Sequence, residues 1–246
     1  MRDVALYRVK IFADGADRAS ILDLAANPLI KGFTTNPTLM RKAGITDYEA
    51  FGRSLAREIP NHPFSVEVLS DDFEEMEQQA LRIASWGENV YVKIPITDTR
   101  GRSSTALVAR LAGQGVKINV TALMTLAQVD AVVPSLSHGP ASCISIFAGR
   151  IADAGCDPLP ILREALARIR PYPQIELIWA SPRELFNIVQ ANQIGCHIIT
   201  VTHDLLKKLP LIGRDLDEYS LDTVKMFIND ARAANFSLAL PAVERR

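Results

Sequence analysis

NVYVKIPIT, residues 89–97, is the stretch of sequence that decides the fold. β-Branched residues occupy every second position between Val90 and Ile94, which is the periodicity of a β-strand. Pro95 has no amide proton to donate to a strand ladder and is expected to end the strand. Lys93 is therefore predicted to lie near the C-terminal end of this strand, facing opposite to its apolar neighbours.

A lysine inside an apolar strand can be interpreted in two ways. If the strand is parallel and covered by helices, Lys93 points into an enclosed site. Desolvation there disfavours the ammonium form, and the free amine is a nucleophile for carbonyl carbons. The alternative is a lysine at a strand edge, whose aliphatic stem lets the amine reach water.

Length and composition limit the classes of protein that fit. The chain has 246 residues, of which 48% are hydrophobic, enough for one large α/β barrel or two small domains. A net charge of −1 gives no basic excess for nucleic acid or an anionic membrane. No apolar run is long enough to span a bilayer, and Met1–Lys10 carries charges and has no signal-peptide core.

The cysteines and histidines add two expectations. Three cysteines without a Cys-x-x-Cys pair favour reduced thiols in a cytoplasmic protein. Four histidines show no metal-ligand spacing, so we predict no metal site.

Eight short strands alternate with helical segments along the chain. Several of the strands are nearly continuous apolar runs, as expected when helices cover a parallel sheet. The predicted strands are Val9–Ala13, Gly32–Thr35, Phe64–Leu69, Val90–Ile94, Val116–Val120, Ala141–Phe147, Ile175–Ala180 and His197–Val201. Eight such βα units in about 200 residues predict an α/β fold of the (β/α)8 TIM-barrel type.

The alternative is an open, doubly wound sheet, which usually carries a glycine-rich phosphate turn after its first strand. Here that turn is Asp14-Gly15-Ala16-Asp17, which has no G-x-G-x-x-G motif. No composition break divides the chain, so residues 1–246 are predicted to form a single barrel domain. An additional C-terminal helix, Leu221–Ala234 with Ser220 as its cap, and a short tail follow the eighth unit.

Polar residues stand at the predicted strand ends, where the catalytic groups of such barrels lie. One lysine is surrounded by carboxylates, amides, hydroxyls and arginines. Glu67 stands between two valines and is expected to face inward beside Lys93. Turn chemistry is the alternative for Asp14 and Asn36, and a solvated face for the arginines. The residues are Asp14, Thr34, Thr35, Asn36, Glu67, Lys93, Asn119, Thr121, Ser145, Arg150, Ser181 and Arg183.

Four of these segments resemble signature segments of the transaldolase family, which includes shorter fructose-6-phosphate aldolase-like enzymes of similar length. They are Thr34–Thr38 (TTNPT), Val92–Pro95 (VKIP), Ile118–Thr121 (INVT) and Gly149–Ile151 (GRI). The resemblance extends roughly from Val9 to Leu209. It implies a (β/α)8 barrel with a Schiff-base lysine on a strand, and a place in the pentose phosphate pathway.

The resemblance also implies a role for each residue. Lys93 attacks the ketose C2 carbonyl, Asp14 takes the C4 hydroxyl proton, and Glu67 with Thr121 holds a shuttling water. Because the iminium is the electron sink, neither a metal nor an organic cofactor is needed. The implied substrate-binding residues are Thr35, Asn36, Asn119, Ser145 and Phe147 for the three-carbon unit and its surroundings, and Arg150, Ser181 and Arg183 for the phosphate.

Three functions remain open from the sequence. The first is a transaldolase that moves a dihydroxyacetone unit between sugar phosphates, the second an aldolase that releases free dihydroxyacetone, and the third a non-catalytic barrel that binds a sugar phosphate. The resemblance favours the first, since direct aldolases of this family typically have tyrosine at the position of Phe147 and glutamine at that of Glu67. The chain departs from the family pattern at Gly15, Ile146 and Thr202-His203. The resemblance also implies a homo-oligomer.

Overall fold

The computed structural model describes residues 4–238, and its strands form a closed barrel of eight parallel strands in sequence order. Each strand pairs with the next, and the last pairs with the first. The predicted (β/α)8 fold is therefore confirmed. The strands are β1 (Lys10–Asp14), β2 (Ile30–Thr34), β3 (Phe64–Glu67), β4 (Val90–Pro95), β5 (Ile118–Leu123), β6 (Ser142–Ile146), β7 (Ile175–Trp179) and β8 (Ile198–Thr202).

Helices connect the strands, and most of them begin at a short polar side chain that accepts a backbone hydrogen bond. The first four helices are capped in this way by Asp17, Asn36, Asp47 and Asp72. The helices are α1 (Arg18–Ala25), α2 (Pro37–Lys42), α3 (Tyr48–Glu58), α4 (Phe73–Ala84), α5 (Thr105–Gly113), α6 (Leu126–Leu136), α7 (Ala148–Asp153), α8 (Pro158–Ile169), α9 (Phe186–Gln193), α10 (His203–Leu206) and α11 (Leu216–Ala233).

The strand that carries Lys93 extends further than predicted. Pro95 belongs to β4 and lies opposite Thr121 of β5, because proline lacks only the donor and keeps its carbonyl. That carbonyl accepts the Ser104 hydroxyl at 2.6 Å. Ser104 is also the residue that immediately precedes α5.

Two further boundaries differ from the sequence prediction. β5 continues to Leu123 instead of ending at Val120, because a bulge at Ala122 (φ 65°) absorbs the change of register. A proline inside a helical pattern predicts an interruption at Pro134, but α6 continues through it and ends at Leu136. Leu136 is fully buried, so its packing favours one more helical turn despite the missing amide of the proline.

The two faces of each strand separate the core from the site. Outward-facing residues of the central strands, such as Val66, Val92 and Ile94, are fully buried beneath the helices. The register places Glu67 opposite Lys93, and Lys93 opposite Asn119. These three inward-facing residues therefore form one layer at the same end of the barrel.

The contacts divide the chain into two compact units, of which the barrel unit is residues 5–209. In the second unit α11 begins at Leu216, where Asp215 accepts hydrogen bonds from the amides of Asp217 and Glu218. The predicted start at Leu221 with Ser220 as its cap is wrong, because this aspartate caps the helix a turn earlier. The single-domain assignment stays a prediction, and most of the predicted tail lies outside the described residues.

Among the helices of the described part of the chain, none has the length and apolar character needed to cross a bilayer.

Candidate active site

A cavity of about 520 Å³ lies at the C-terminal ends of the barrel strands. Its wall contains all of the predicted site residues except Thr35. They come from strands or following loops around the barrel, as the parallel topology requires. These lining residues are Asp14, Asn36, Glu67, Lys93, Asn119, Thr121, Ser145, Phe147, Arg150, Ser181 and Arg183.

Lys93 is buried, with 6% of its surface exposed, so its amine does not extend to bulk water as the alternative interpretation proposed. Its Nζ lies 2.9 Å from Glu67 Oε2 and donates a hydrogen bond of 2.8 Å to the carbonyl oxygen of Thr35. Both oxygens accept hydrogens from Nζ, and neither can donate one to it while Glu67 is ionised. A proton must therefore leave Nζ before the amine can act as a nucleophile, and Glu67 is the acceptor in direct contact.

Thr35 has a different place from the one predicted. Its side chain is fully buried and does not line the cavity, and its hydroxyl has no hydrogen-bond partner among the described residues. The backbone carbonyl is the part of Thr35 that reaches the site, through Lys93. Its predicted contact with substrate is thus replaced by a contact with the lysine.

Asp14 ends β1 and accepts a hydrogen bond of 2.7 Å from the Thr34 hydroxyl. Thr34 Oγ1 in turn lies 2.5 Å from Thr200 Oγ1, at the inner face of β8. Burial raises the pKa of Asp14 above its usual range, and Glu67 adds to this, whereas Lys93 and the Thr34 hydrogen bond oppose it. The carboxyl group is therefore a stronger base than an aspartate in water.

The amide of Asn119 is held in a fixed orientation between two serines. Ser145 donates to Asn119 Oδ1 at 2.7 Å, and Asn119 Nδ2 donates to Ser65 Oγ at 3.1 Å. All three side chains are buried. Because Nδ2 has two hydrogens, the second remains for a ligand in the cavity.

Thr121 is buried on the cavity wall, and its hydroxyl has no hydrogen-bond partner in the described part of the chain. Leaving a buried hydroxyl without a partner costs about 1–3 kcal/mol. The position therefore suits a bound water or substrate oxygen.

The two arginines lie on the side of the cavity formed by β6, β7 and their loops. The Arg150 guanidinium lies 5.7 Å from the centre of the Phe147 ring. Arg183 is half exposed, and Asp153 of α7 binds its Nε, at 3.0 Å, and its Nη2. This pairing fixes one edge of the Arg183 guanidinium and leaves the Nη1 donors for an anion.

The backbone of α7 approaches the loop after β7 closely. Ser181 has a left-handed backbone (φ 58°), which is unusual for a residue with a side chain. A Cβ placed on Gly149 would lie 1.6 Å from the Ser181 carbonyl oxygen. Only glycine fits at position 149, and it lets α7 lie against the loop that carries Ser181 and Arg183.

Asn36 has the helix-capping role that turn chemistry predicts, and its substrate-binding role stays a prediction. Its Oδ1 accepts the Leu39 amide at 2.9 Å and so caps α2, as turn chemistry predicts. The residue also lines the cavity, where Nδ2 is available to a ligand.

Comparison with known proteins agrees with this arrangement. The profile of the Transaldolase/Fructose-6-phosphate aldolase family matches residues 11–239. The chain belongs to this family. It is similar to a "Probable transaldolase" of Dehalococcoides mccartyi (32% identity, 87% of this chain and 97% of that protein) and to one of Streptococcus equi subsp. equi (34% identity, with the same shares).

The fold is also found in a solved structure of a more distant protein. A 2,3-dimethylmalate lyase of the PEP mutase/isocitrate lyase superfamily superposes with a TM-score of 0.51 at 12% identity, over 98% of this chain and 88% of that one. At this level of identity the similarity concerns the barrel alone.

Sequence reasoning missed several residues that shape the site of this transaldolase-family chain. Tyr48 donates its hydroxyl to the carbonyl oxygen of Glu67 at 2.5 Å, and burial raises the pKa of that phenol. Ser65, Thr200 and Lys42 also reach the cavity or its polar network. Strand alternation could have identified Ser65 and Thr200 as inward-facing, but Tyr48 lies on a helix and gave no such signal.

A larger groove of about 690 Å³ lies at the opposite end of the barrel, beside the N-terminal ends of β7 and β8. Its described wall includes Arg163, Arg170 and His197, but no carboxylate and no lysine. Of these two described cavities, the smaller one is the candidate active site, because it combines an amine, two carboxylates and a hydroxyl without a described partner.

Replacing Gly149 by alanine should destabilise the protein, because the new methyl group meets a backbone oxygen that cannot rotate away. We expect the free energy of unfolding to fall by about 2 kcal/mol or more in urea denaturation. Gly113 is the matched control, since a Cβ there meets nothing within 4 Å and the residue lies at the exposed end of α5. Gly113→Ala should be neutral or slightly stabilising, and equal stability of the two variants would contradict the close approach.

Proposed function

We propose that this protein is a transaldolase that transfers a dihydroxyacetone unit from a ketose phosphate to an aldose phosphate through a Schiff base on Lys93. The donors that we propose are fructose 6-phosphate or sedoheptulose 7-phosphate. The observation that best supports this proposal is the buried Lys93 amine in contact with Glu67 at the cavity wall. A barrel that only binds sugar phosphates needs the arginines, but it has no use for a buried amine beside a carboxylate.

The reaction begins with a proton transfer. Glu67 takes a proton from Nζ of Lys93, and the neutral amine attacks the C2 carbonyl of the ketose. The carbinolamine then loses water to give an iminium. We assign the departing water to Glu67 and Thr121, because the unpartnered Thr121 hydroxyl lies on the same cavity wall.

Cleavage requires a base on the other side of the substrate. Asp14 takes the proton of the C4 hydroxyl, the C3–C4 bond breaks, and its electron pair moves into the iminium to give an enamine. An aldose phosphate leaves. Only ionised Asp14 can accept the proton, so the rate should fall as the pH drops through its pKa, which burial raises above the usual aspartate range.

Transfer is completed by the reverse sequence with a new aldehyde. The enamine carbon attacks the acceptor carbonyl carbon, and Asp14 returns its proton to the acceptor oxygen. Water then hydrolyses the iminium and frees Lys93. Throughout, Asn36, Asn119 and Ser145 are placed to bind hydroxyls of the three-carbon unit, since each presents a polar group at the cavity wall.

Phe147 affects the choice between transfer of the three-carbon intermediate to an acceptor and its hydrolysis. Its ring lines the cavity, and Arg150 lies over it. A phenyl ring neither donates nor accepts protons and excludes water from the intermediate. This environment favours transfer over hydrolytic release of dihydroxyacetone, the activity of the alternative aldolase.

Borohydride reduction in the presence of fructose 6-phosphate should trap a covalent adduct on Lys93. Peptide mass mapping should locate the three-carbon or sugar adduct at this lysine and not at Lys117, which binds a backbone carbonyl at 2.7 Å. Lys93→Met should abolish turnover without unfolding the protein, because methionine suits an apolar strand. No adduct with several ketose phosphates, or an adduct on a different lysine, would disprove the assignment.

Arg150→Ala and Arg183→Ala should weaken use of phosphorylated substrates. Loss of a charge-assisted hydrogen bond should raise KM for fructose 6-phosphate by about tenfold or more, while activity on unphosphorylated fructose changes little. Arg168→Ala is the control, since Arg168 is paired with Asp130 and Glu164 on the outer helices. Equal losses on both kinds of substrate would show that the arginines act on the structure rather than on the phosphate.

Phe147→Tyr should raise release of free dihydroxyacetone at the expense of transfer. A phenol beside the iminium supplies the proton transfers that hydrolysis needs. Coupled assays with fructose 6-phosphate, with and without erythrose 4-phosphate, measure the two rates. If the unaltered protein releases dihydroxyacetone as fast as it transfers it, the aldolase is the correct function.

A further inference from the structure

Two buried threonine hydroxyls connect Asp14, the base of the proposed reaction, to β8. Thr34 Oγ1 donates to Asp14 Oδ1 at 2.7 Å, and Thr200 Oγ1 lies 2.5 Å from Thr34 Oγ1. Thr34 and Thr200 are 4% and 5% exposed. Among the described residues, Thr34 is the only hydrogen-bond partner of the Thr200 hydroxyl.

The chemistry of the three groups sets the direction of these hydrogen bonds. An ionised carboxylate only accepts, so the single Thr34 hydrogen points at Asp14. The short contact to Thr200 then requires Thr200 to be the donor, because Thr34 has no second hydrogen. Thr200 thereby prevents the Thr34 hydroxyl from rotating away. When Thr34 Oγ1 accepts the Thr200 hydrogen, the hydrogen bond that Thr34 donates to Asp14 becomes stronger.

We propose that Thr200 is a positioning residue that acts on Asp14 through Thr34 and keeps the carboxylate ionised and aimed at the substrate. The proposal rests on the proposed function in assigning Asp14 as the base. Thr200 reaches Thr34 because β8 and β2 are the two neighbours of β1. Phe12 of β1 is the register partner of both Thr200 and Gly32. A Cβ at Gly32 would lie 2.5 Å from the Phe12 ring, so glycine at this position of β2 leaves room for that ring.

Other charges also act on Asp14 and must stay constant in the test. Lys93 opposes the protonated form and Glu67 favours it. The remaining charged or titratable side chains on the walls of the cavity, or of the adjoining pocket that Asp14 shares, are Lys42, Arg150, Arg183, Asp17, His203 and Asp204. None of them is altered by a substitution at position 200 or 34.

The test measures the ionisation of Asp14 without any substrate. Protein labelled with carbon-13 at the aspartate carboxyls is titrated by NMR, and the Asp14 signal is assigned by its loss in Asp14→Asn. Thr200→Val, which keeps the shape of the side chain but not its hydroxyl, should raise the Asp14 midpoint by about half a pH unit. Thr200→Ser, which keeps the hydroxyl, should leave it unchanged, and Thr200→Ala replaces the valine variant if that variant does not fold.

A double-mutant cycle shows whether Thr200 acts through Thr34. Thr34→Val alone should raise the midpoint by at least as much, and adding Thr200→Val to it should have no further effect. The acidic limb of kcat/KM should move by the same amount, giving about threefold lower activity below the midpoint and little change on the plateau. No shift in Thr200→Val, or a shift that persists in the Thr34→Val background, would overturn the proposal.

The outcomes also separate this proposal from the proposed function. A shift of the Asp14 midpoint in a protein that forms no borohydride-trappable adduct would support the positioning role of Thr200 and refute the transaldolase assignment. Transaldolase activity without an Asp14 shift would support the transaldolase assignment and refute the positioning role of Thr200.

Discussion

The Lys93 ammonium is removed from water at the end of a barrel strand, and the structure around it must compensate. Burying an ion costs several kcal/mol unless partners replace its hydration. Glu67 Oε2 and the Thr35 carbonyl oxygen do so at 2.9 and 2.8 Å, and Tyr48 holds the backbone of Glu67. Because apolar residues would stabilise the same space as well or better, this buried pair is better explained by chemistry than by stability.

Those contacts exist only in one register of the barrel. A shift of one residue along β3 or β4 would turn Glu67 or Lys93 from the interior to the helix-covered face. In the observed register, carboxylates from β1 and β3 stand on one side of the cavity, and Arg150 of α7 and Arg183 of the loop after β7 stand on the other. For the proposed sugar-phosphate substrates, we therefore expect binding in one direction, with the phosphate toward the arginines and the carbonyl toward Lys93.

Much of this arrangement could be predicted from local patterns. Strand alternation around Lys93 and Glu67 gave their facing, and βα counting gave the barrel. The contacts that could not be predicted involve distant partners: Thr200 contacts Thr34, 166 residues away, and Arg183 is paired with Asp153. The sequence also gave no sign of the bulge at Ala122. A left-handed backbone is usually indicated by glycine or asparagine, and neither stands at this position.

The ion pair that holds Lys93 at rest also serves the proposed covalent intermediates. An iminium on Nζ carries the same positive charge as the ammonium, so Glu67 stabilises both without reorganisation when its proton has been passed on. The enamine is the neutral exception, and there the cavity loses this attraction. Attack on an acceptor restores the charge beside Glu67 and is thereby favoured. Because Phe147 lines the cavity and limits the access of water, we expect carbon–carbon bond formation to be the easier way for the proposed enamine to regain the cation.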